Sequence, residues 1–409
     1  MFHNSQKEQI LKAKQEENTL AIYLEDEPIN YIPEKDSGYT LDLSKSSCNN
    51  GVTISFDYNT WSVKTNYSNY TNQDNTRVKC SLYFKKRTFA ESLVDCGSLS
   101  KDAGVCIKEN YYLTDEIVDD ETIDNNLRFI GSDPANYVWF NNELWRIIGV
   151  FNNIDDGTGK KETRLKIIRD ESIGSYSWDN KANGVGSSTS VYGSNDWSDS
   201  ALQIVLNSGA YYNRTSGNCP YGQNGATTAC DFSEIGLTNE AKSMISNAVW
   251  NLGGLSTTNN AINFFQLSLI SDWYKYERGV SVYNDRATKW IGKVGLMYSS
   301  DYGYATNGGT SQNRVRCMSI PLYNWLEYLD DTNYCVNNNW LFKIDLHQWT
   351  LVPISDGVAS AFFIVSSGSV TSDSTITRDT TVSPVVYLKS SIKITSGMGT
   401  KESPYHLSL

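Results

Sequence analysis

Eight cysteines spread over 409 residues constrain this chain more than any other feature of its sequence. No two of them form a Cys-x-x-Cys pair, and the chain has only 3 histidines, so the closely spaced ligands of a structural zinc site are missing. An even number of well-separated cysteines instead favours disulfides formed in an oxidising compartment. We therefore predict disulfides among the eight: Cys48, Cys80, Cys96, Cys106, Cys219, Cys230, Cys317 and Cys335.

The pairing of these cysteines cannot be deduced from their order, because eight cysteines allow many connectivities. Sequential pairing is the simplest hypothesis, since each bridge would then close within one local unit. The alternative is a cytosolic protein with buried free thiols.

Charge and hydropathy narrow the classes of partner. The formal net charge is -11, whereas nucleic-acid binders normally carry basic surface that replaces the counterions of the phosphates. We expect no nucleic-acid partner.

The sequence also lacks the roughly 20 consecutive apolar residues of a membrane span and a secretory signal. We expect an extracellular cell-surface protein whose leader or membrane anchor lies upstream of this chain.

The pattern along the chain predicts four regions. Residues 1–22 are rich in Lys, Glu, Gln and Ala and favour a short helical stalk, with a frayed terminus as the alternative. Residues 23–88 alternate in hydrophobicity and predict a small β module, which a disulfide between Cys48 and Cys80 would brace. We interpret residues 89–126 as an acidic linker and residues 127–409 as one large domain.

The large domain is predicted to be α+β. It opens on a hairpin of two strands, residues 137–140 and 144–151, joined by Asn141 and Asn142, which tolerate the positive φ of a tight turn. Apolar spacing predicts helices over 200–206, behind Ser198, and over 239–252, behind Thr238. Further strands are predicted over residues 163–168, 290–298, 349–352, 361–365 and 382–388. Four tryptophans within strand patterns are predicted to lie in the core: Trp139, Trp145, Trp290 and Trp349.

Seven segments of this domain resemble one family. Residues 136–149 read NYVWFNNELWRIIG, 290–297 WIGKVGLM, 300–306 SDYGYAT, 338–341 NNWL, 348–353 QWTLVP, 382–388 VSPVVYL and 392–397 IKITSG. Together they resemble Firmicutes surface proteins with a C-type-lectin-like domain of the formylglycine-generating-enzyme type, over roughly residues 126–409. One departure is the run from Thr381 to Pro384, where family members usually show Gly-Val-Arg-Pro.

The resemblance implies a ligand-binding function. Some members are variable proteins of diversity-generating retroelements, in which mutagenised codons late in the domain create the binding face. Composition fits this idea independently, because residues 350–409 contain no Asn and residues 354–381 also lack Lys, Glu, Gln, Met and Trp. Ordinary Ser/Thr-rich strand composition is the alternative. The predicted ligand-binding residues are Ile354, Ser355, Asp356, Val358, Ser360, Phe363, Val365, Ser369, Thr371, Asp373, Thr375, Thr377, Arg378 and Asp379, with Phe363 and Arg378 as the anchors.

We predict a binding protein rather than an enzyme, with an unidentified host or microbial protein or glycan as its partner. His347 and His406 stand alone, and the spacing of Cys317 and Cys335 favours a structural disulfide over a reactive thiolate. The alternatives are a formylglycine-generating-type oxidase or cell-wall hydrolase, and a structural pilus or surface-layer subunit.

No cofactor is predicted, and calcium is left open. The run Asp155-Asp156-Gly157-Thr158-Gly159 contains oxygen ligands of the kind that calcium prefers. It lacks the regular acidic spacing of an EF-hand loop, which favours a plain hairpin turn.

Overall fold

The computed structural model describes residues 20–34, 37–57, 60–71, 77–98, 111–114, 117–119, 122–123, 126–181, 193–259, 263–327, 329–372 and 379–409. With 18% of residues in helices and 36% in strands, the chain is α+β as predicted. It divides into two compact units, Met1–Ser92 and Leu93–Leu409. No helix among the described residues is long and apolar enough to cross a membrane.

The described part of the first unit is built mainly of strands. They are β1 (Leu20–Leu24), β2 (Glu27–Ile29), β3 (Tyr39–Leu41), β4 (Ser47–Cys48), β5 (Thr53–Asp57), β6 (Ser62–Asn66) and β7 (Cys80–Lys86), followed by helix α1 (Phe89–Ser98). The main sheet has the order β2-β1-β7-β3, with β4 also paired to β7, while β5 and β6 form a separate hairpin. Because β1 begins at Leu20, residues 20–22 belong to this sheet and not to a helical stalk; residues 1–19 lie outside the described residues.

A small core and one disulfide hold this unit together. Ile22, Leu41, Leu82 and Phe84 are buried against one another. Cys48 and Cys80 are directly opposite in the β4–β7 pair and are disulfide-bonded, which confirms the predicted bridge. The bridge matters because a module of this size buries too little apolar surface to be robust by packing alone.

The second unit opens on a run of strands. They are β8 (Tyr111–Thr114), β9 (Ile117–Asp119), β10 (Thr122–Ile123), β11 (Asn126–Phe129), β12 (Tyr137–Phe140), β13 (Glu143–Asp155), β14 (Lys161–Arg169) and β15 (Ser175–Tyr176). The middle of the unit mixes short helices and strands: a 3-10 turn (Trp197–Asp199), α2 (Ala201–Asn207), α3 (Ala210–Asn213), β16 (Ser216–Pro220), β17 (Thr227–Asp231), α4 (Asn239–Met244), β18 (Ala248–Asn251), a 3-10 turn (Phe265–Leu267) and α5 (Ile270–Glu277).

The last third returns to strands after further short helices. Its elements are β19 (Lys289–Gly292), β20 (Val294–Gly295), α6 (Ser299–Tyr304), α7 (Ser311–Met318), a 3-10 turn (Leu322–Asn324), α8 (Asn333–Asn337), β21 (Gln348–Pro353), β22 (Ala361–Ile364), β23 (Val370–Ser372), β24 (Thr380–Thr381), β25 (Val385–Tyr387), β26 (Lys393–Ser396) and β27 (Tyr405–Ser408).

Two sheets organise the described part of this unit. The larger has the order β20-β25-β14-β13-β12-β27-β26, with β11 joining β13 to β8. The smaller has the order β15-β24-β21-β22-β23 and contains most of the late strands. The centre of the larger sheet is β13, whose residues 145–151 are all buried, as a strand covered on both faces requires. The predicted hairpin is confirmed: Asn141 and Asn142 both have positive φ, 59° and 62°.

The predicted helix over residues 239–252 is wrong beyond its first turns. Thr238 caps the helix through Ala241 N as expected, but the helix ends at Met244. Ser246 N donates to Tyr387 O, and the following residues form β18 against β19. A helical period and a strand period would both bury Ala248, so the apolar spacing does not distinguish them. Pairing with distant strands decides in favour of the strand.

The pairing of six cysteines follows the sequential hypothesis. Besides Cys48–Cys80, the second unit contains the bridges Cys219–Cys230 and Cys317–Cys335. The side chains of Cys96 and Cys106 lie outside the described residues, so their predicted bridge stays a prediction. The segment interpreted as a linker contains α1 and several strands.

A buried charge cluster ties the larger sheet to α6. The Asp301 carboxylate accepts from Arg128 Nη1 on β11 at 2.7 Å and from Lys166 Nζ on β14, and all three side chains are almost fully buried. Burial alone would raise the pKa of Asp301, but Lys166 and Arg128 outweigh it and lower that pKa to about 2. Burial lowers the pKa of Lys166 to about 8 against the pull of Asp301. Both groups are therefore ionised at neutral pH.

Replacing Asp301 with asparagine should destabilise the protein by about 3–5 kcal/mol, because two cations would be left buried without their anion. Denaturant unfolding at pH 7 measures the change. Asp330→Asn, at an exposed position, is the matched control and should shift the unfolding free energy by less than about 0.5 kcal/mol. Equal small effects of both variants would mean that the cluster does not support the fold.

Glu277, on α5, is a second buried carboxylate beside this cluster. It accepts from Ser300 N at 2.9 Å and from the Ser300 hydroxyl, and it lies 3.5 Å from Arg278 Nη1. Burial raises the pKa of Glu277 to about 7, and Asp301 adds to that rise, while Arg278 and Ser300 oppose it. The folded protein thus holds this proton more tightly than the unfolded chain does.

The free energy of unfolding should therefore fall as pH rises from 4.5, the ordinary pKa of Glu, through the folded pKa of about 7. Glu277→Gln keeps an acceptor for Ser300 but does not titrate, so its stability should vary less over this window. Thermal melts of both proteins at several pH values measure the difference. A wild-type profile that is no steeper than that of the variant would contradict the assignment.

Candidate ligand-binding surface

The late segment, residues 354–381, is partly buried. Four predicted ligand-binding residues have buried side chains: Ile354, Ser360, Phe363 and Ser369. Phe363 is only 1% exposed, and its ring packs edge-on against Trp349 at 5.6 Å and against His347 at 5.7 Å. The prediction of Phe363 as a surface anchor is therefore wrong, because its side chain is buried beside its cross-strand partner Trp349.

Other predicted residues of the late segment do reach the surface. Asp356 is exposed, and the side chains with intermediate exposure are Ser355, Val358, Val365, Thr371 and Asp379. The remaining four predicted residues lie outside the described residues: Asp373, Thr375, Thr377 and Arg378. Among the described residues, the candidate surface therefore consists of Asp356 and five partly exposed side chains.

Asp356 fastens the start of the late segment to a neighbouring loop. Its carboxylate accepts from the backbone N–H groups of Thr257 and Thr258, both at 2.9 Å, and from both threonine hydroxyls. Partial burial opposes the ionised form, but the bonds from Thr258 and Thr257 outweigh it and lower the pKa of Asp356. The Asp356 side chain is exposed, but its hydrogen bonds hold Thr257 and Thr258 against the late segment. We call this contact the Asp356 clamp.

Asn195 holds the same loop from the inside. Its side-chain amide donates to the carbonyl oxygens of Ile354, Gly357 and Ser360 at 2.9, 3.1 and 2.7 Å. At the other end of the segment, Asp379 accepts from the Ser177 hydroxyl and from a backbone N–H. The backbone of the described part of the late segment is therefore fixed at both ends.

The residues considered for catalysis have other roles in the structure. Cys317 and Cys335 are fully buried and disulfide-bonded, so neither offers the accessible thiolate that a cysteine oxidase needs. His347 Nδ1 accepts from Ser366 N at 3.2 Å. No group of three or more potential metal ligands occurs among the described residues.

The residues considered for calcium stabilise their own turn. Asp155 Oδ1 accepts from Gly157 N and Gly159 N, and Asp156 Oδ1 accepts from the backbone and hydroxyl of Thr158. These are Asx-turn bonds of the kind that favour Asp in tight turns. The run therefore forms the tight turn between β13 and β14.

A cleft that the sequence did not reveal lies at the tip of the β12–β13 hairpin. Its volume is about 180 Å³, and Trp139, Asn142, Thr238, Glu240 and His406 line it together with buried apolar side chains. We call it the Trp139 cleft. Trp139 is 41% exposed, so the prediction that it lies in the core is wrong, whereas Trp145 and Trp349 are buried as predicted.

The alternation within β12 is the signal that could have placed Trp139. Val138 and Phe140 are buried, and successive side chains of a strand point to opposite faces. A tryptophan between two core residues must therefore face the other side of the sheet. There it is paired with His406 of β27, and the two ring centroids are 6.4 Å apart.

Comparison of the sequence with protein-family models and with curated proteins, and of the fold with solved structures, found no match. The assignment of function therefore depends on the geometry of this chain.

Asp356→Asn should weaken the clamp on the late segment, because the carboxylate is replaced by a group with one acceptor oxygen. We expect a loss of about 1 kcal/mol in unfolding free energy, together with faster hydrogen exchange at the amides of Thr257 and Thr258. Asp285→Asn, also exposed, should leave both measurements unchanged. Unaltered exchange at the two threonines in Asp356→Asn would show that the clamp does not hold the loop.

Proposed function

We propose that this chain is an extracellular ligand-binding protein of the cell surface, adhesin- or receptor-like. Its larger unit would be a C-type-lectin-like scaffold, and the outward side chains of the late segment would form a binding face that a diversity-generating retroelement varies. The ligand would be a protein or glycan on a host or microbial surface.

One observation carries this proposal: the late segment combines a fixed backbone with partly exposed side chains. Asn195, the Asp356 clamp and the β21–β24 sheet hold the backbone. Val358, Val365 and Thr371 each lie next to one buried residue and are themselves partly exposed. A rigid framework with replaceable surface residues binds well because little conformational entropy is lost on association.

The disulfides support the proposed compartment. Three bridges are present among the described cysteines, and such bridges persist in oxidising environments and are rare in the cytosol. A cysteine-dependent oxidase would need an accessible thiolate, whereas Cys317 and Cys335 are buried and bonded to each other, which favours the binding proposal over that alternative.

A display library randomised at Ser355, Val358, Val365 and Thr371 should stay folded and yield clones that bind a foreign protein. Partly exposed positions on a fixed backbone tolerate substitution, with changes of about 0.5–1 kcal/mol in unfolding free energy. Flow cytometry with labelled lysozyme as the probe, alongside a conformation-sensitive protease assay, measures binding and folding. Phe363→Ala should instead lose about 3–5 kcal/mol, because it empties a core position.

The matched control is a library of the same size at four exposed positions of the β16–β17 hairpin: Ser216, Asn218, Thr227 and Ala229. Equal numbers of binders from both libraries, or a late-segment library that is mostly unfolded, would contradict the proposal. Sequencing of the natural locus tests the diversification: a reverse-transcriptase gene should accompany a near-copy of the coding segment for residues 350–385 that differs at adenines.

A further inference from the structure

The Trp139 cleft lies outside the late segment and uses none of its residues. It has the layout of a small-molecule site, with an apolar floor and a polar rim. Phe140, Ala241 and Met244 form the buried floor. Trp139, Asn142, Glu240 and His406 form an exposed rim. The function proposed above leaves this arrangement unexplained.

The walls of the cleft are joined to one another. Asn141 Nδ2 donates to the carbonyls of Ile235 and Gly236 at 3.2 Å, and Asn141 Oδ1 accepts from Thr238 N at 2.8 Å. These bonds fix the hairpin tip to the loop that leads into α4. The third wall, β27, is hydrogen-bonded to β12 at Trp139 and His406. The cleft is therefore formed before any ligand enters, which lowers the entropy lost on binding.

The rim has hydrogen-bonding capacity that no other described residue uses. Three side-chain groups of the rim make no hydrogen bond or ion pair to any residue that the structure describes: the Glu240 carboxylate, the Asn142 side-chain amide and the Trp139 indole N–H. Together with His406 they provide both donors and acceptors. A cation such as an ammonium group would satisfy only the acceptors, whereas a neutral polyhydroxylated ring can satisfy both.

Size and the tryptophan face narrow the ligand further. The cleft, at about 180 Å³, is smaller than the roughly 300–1,000 Å³ of sites for drug-sized molecules. It therefore suits a molecule with a single ring. The exposed indole offers a flat apolar surface with a polar edge, which matches a pyranose: one face of the sugar presents C–H groups and the periphery presents hydroxyls.

We propose that the Trp139 cleft binds one neutral pyranose unit, free or at the end of a glycan. The C–H face of the sugar lies on the indole of Trp139, and its hydroxyls bond to Glu240, Asn142 and His406. This site goes beyond the function proposed above, because its residues lie in the fixed part of the scaffold. The chain would thus carry one constant sugar site apart from its variable face.

Saturation-transfer difference NMR on the full chain with millimolar glucose, galactose, mannose and N-acetylglucosamine tests the proposal. At least one sugar should give a signal. Trp139→Ala should weaken its binding about five- to tenfold, since an aromatic contact of this kind contributes about 1 kcal/mol, and Trp139→Phe should restore part of it. Glu240→Gln, which keeps the size of the side chain, should also weaken binding.

The matched control is Tyr221→Ala, which removes an aromatic side chain of similar exposure, 47%, from the β16–β17 loop. Its sugar binding should equal that of the wild type. Absence of a signal from every sugar would overturn the proposal, as would equal binding by Trp139→Ala. Binding of tetramethylammonium in place of all four sugars would also overturn it. None of these results bears on the late-segment library, so the two proposals fail separately.

Discussion

The bond between the Asp301 carboxylate and its two cations is the interaction on which the larger unit depends. Arg128 and Lys166 come from two strands of the large sheet, and Asp301 comes from a helix far along the chain. A charge removed from water is tolerated only when its partners are in place. The two strands and the helix must therefore assemble together, because any other arrangement would leave a charge buried without its partner. The aromatic rings of Phe151 and Tyr298 close over the cations at 4.7 and 4.3 Å and exclude solvent from the cluster.

Local patterns predicted much of the fold. The Asn141–Asn142 turn and the buried run of β13 follow from residue type and spacing. The described disulfides match the simplest of the pairings that the sequence left open. Predictions failed where pairing between segments far apart in the chain decides the structure. The end of α4 is set by a hydrogen bond from Ser246 to Tyr387, which no window of neighbouring residues reveals. The charge cluster was also beyond prediction, because Asp301 is separated from Arg128 and from Lys166 by more than a hundred residues.

The candidate binding surfaces were predictable only in part. A composition bias marked the late segment, but composition does not say which side chain of a strand faces inward. The assignment therefore included Phe363, a core residue, beside accessible residues such as Val358. Asp356 has the type and exposure of a binding residue, and only its bonds to Thr257 and Thr258 reveal the clamp. The Trp139 cleft combines three segments that meet only in the folded chain.

The pairing of β27 with β12 has a consequence for the order of assembly. These two strands run parallel and adjacent in the sheet, yet nearly the whole unit lies between them in the chain. While a ribosome is still adding residues, the edge of β12 has no neighbour on that side. The sheet reaches its final width only after the closing strand has emerged. Closure of this edge is therefore a late step of folding that joins distant segments, and such non-local parallel pairing is intrinsically slow.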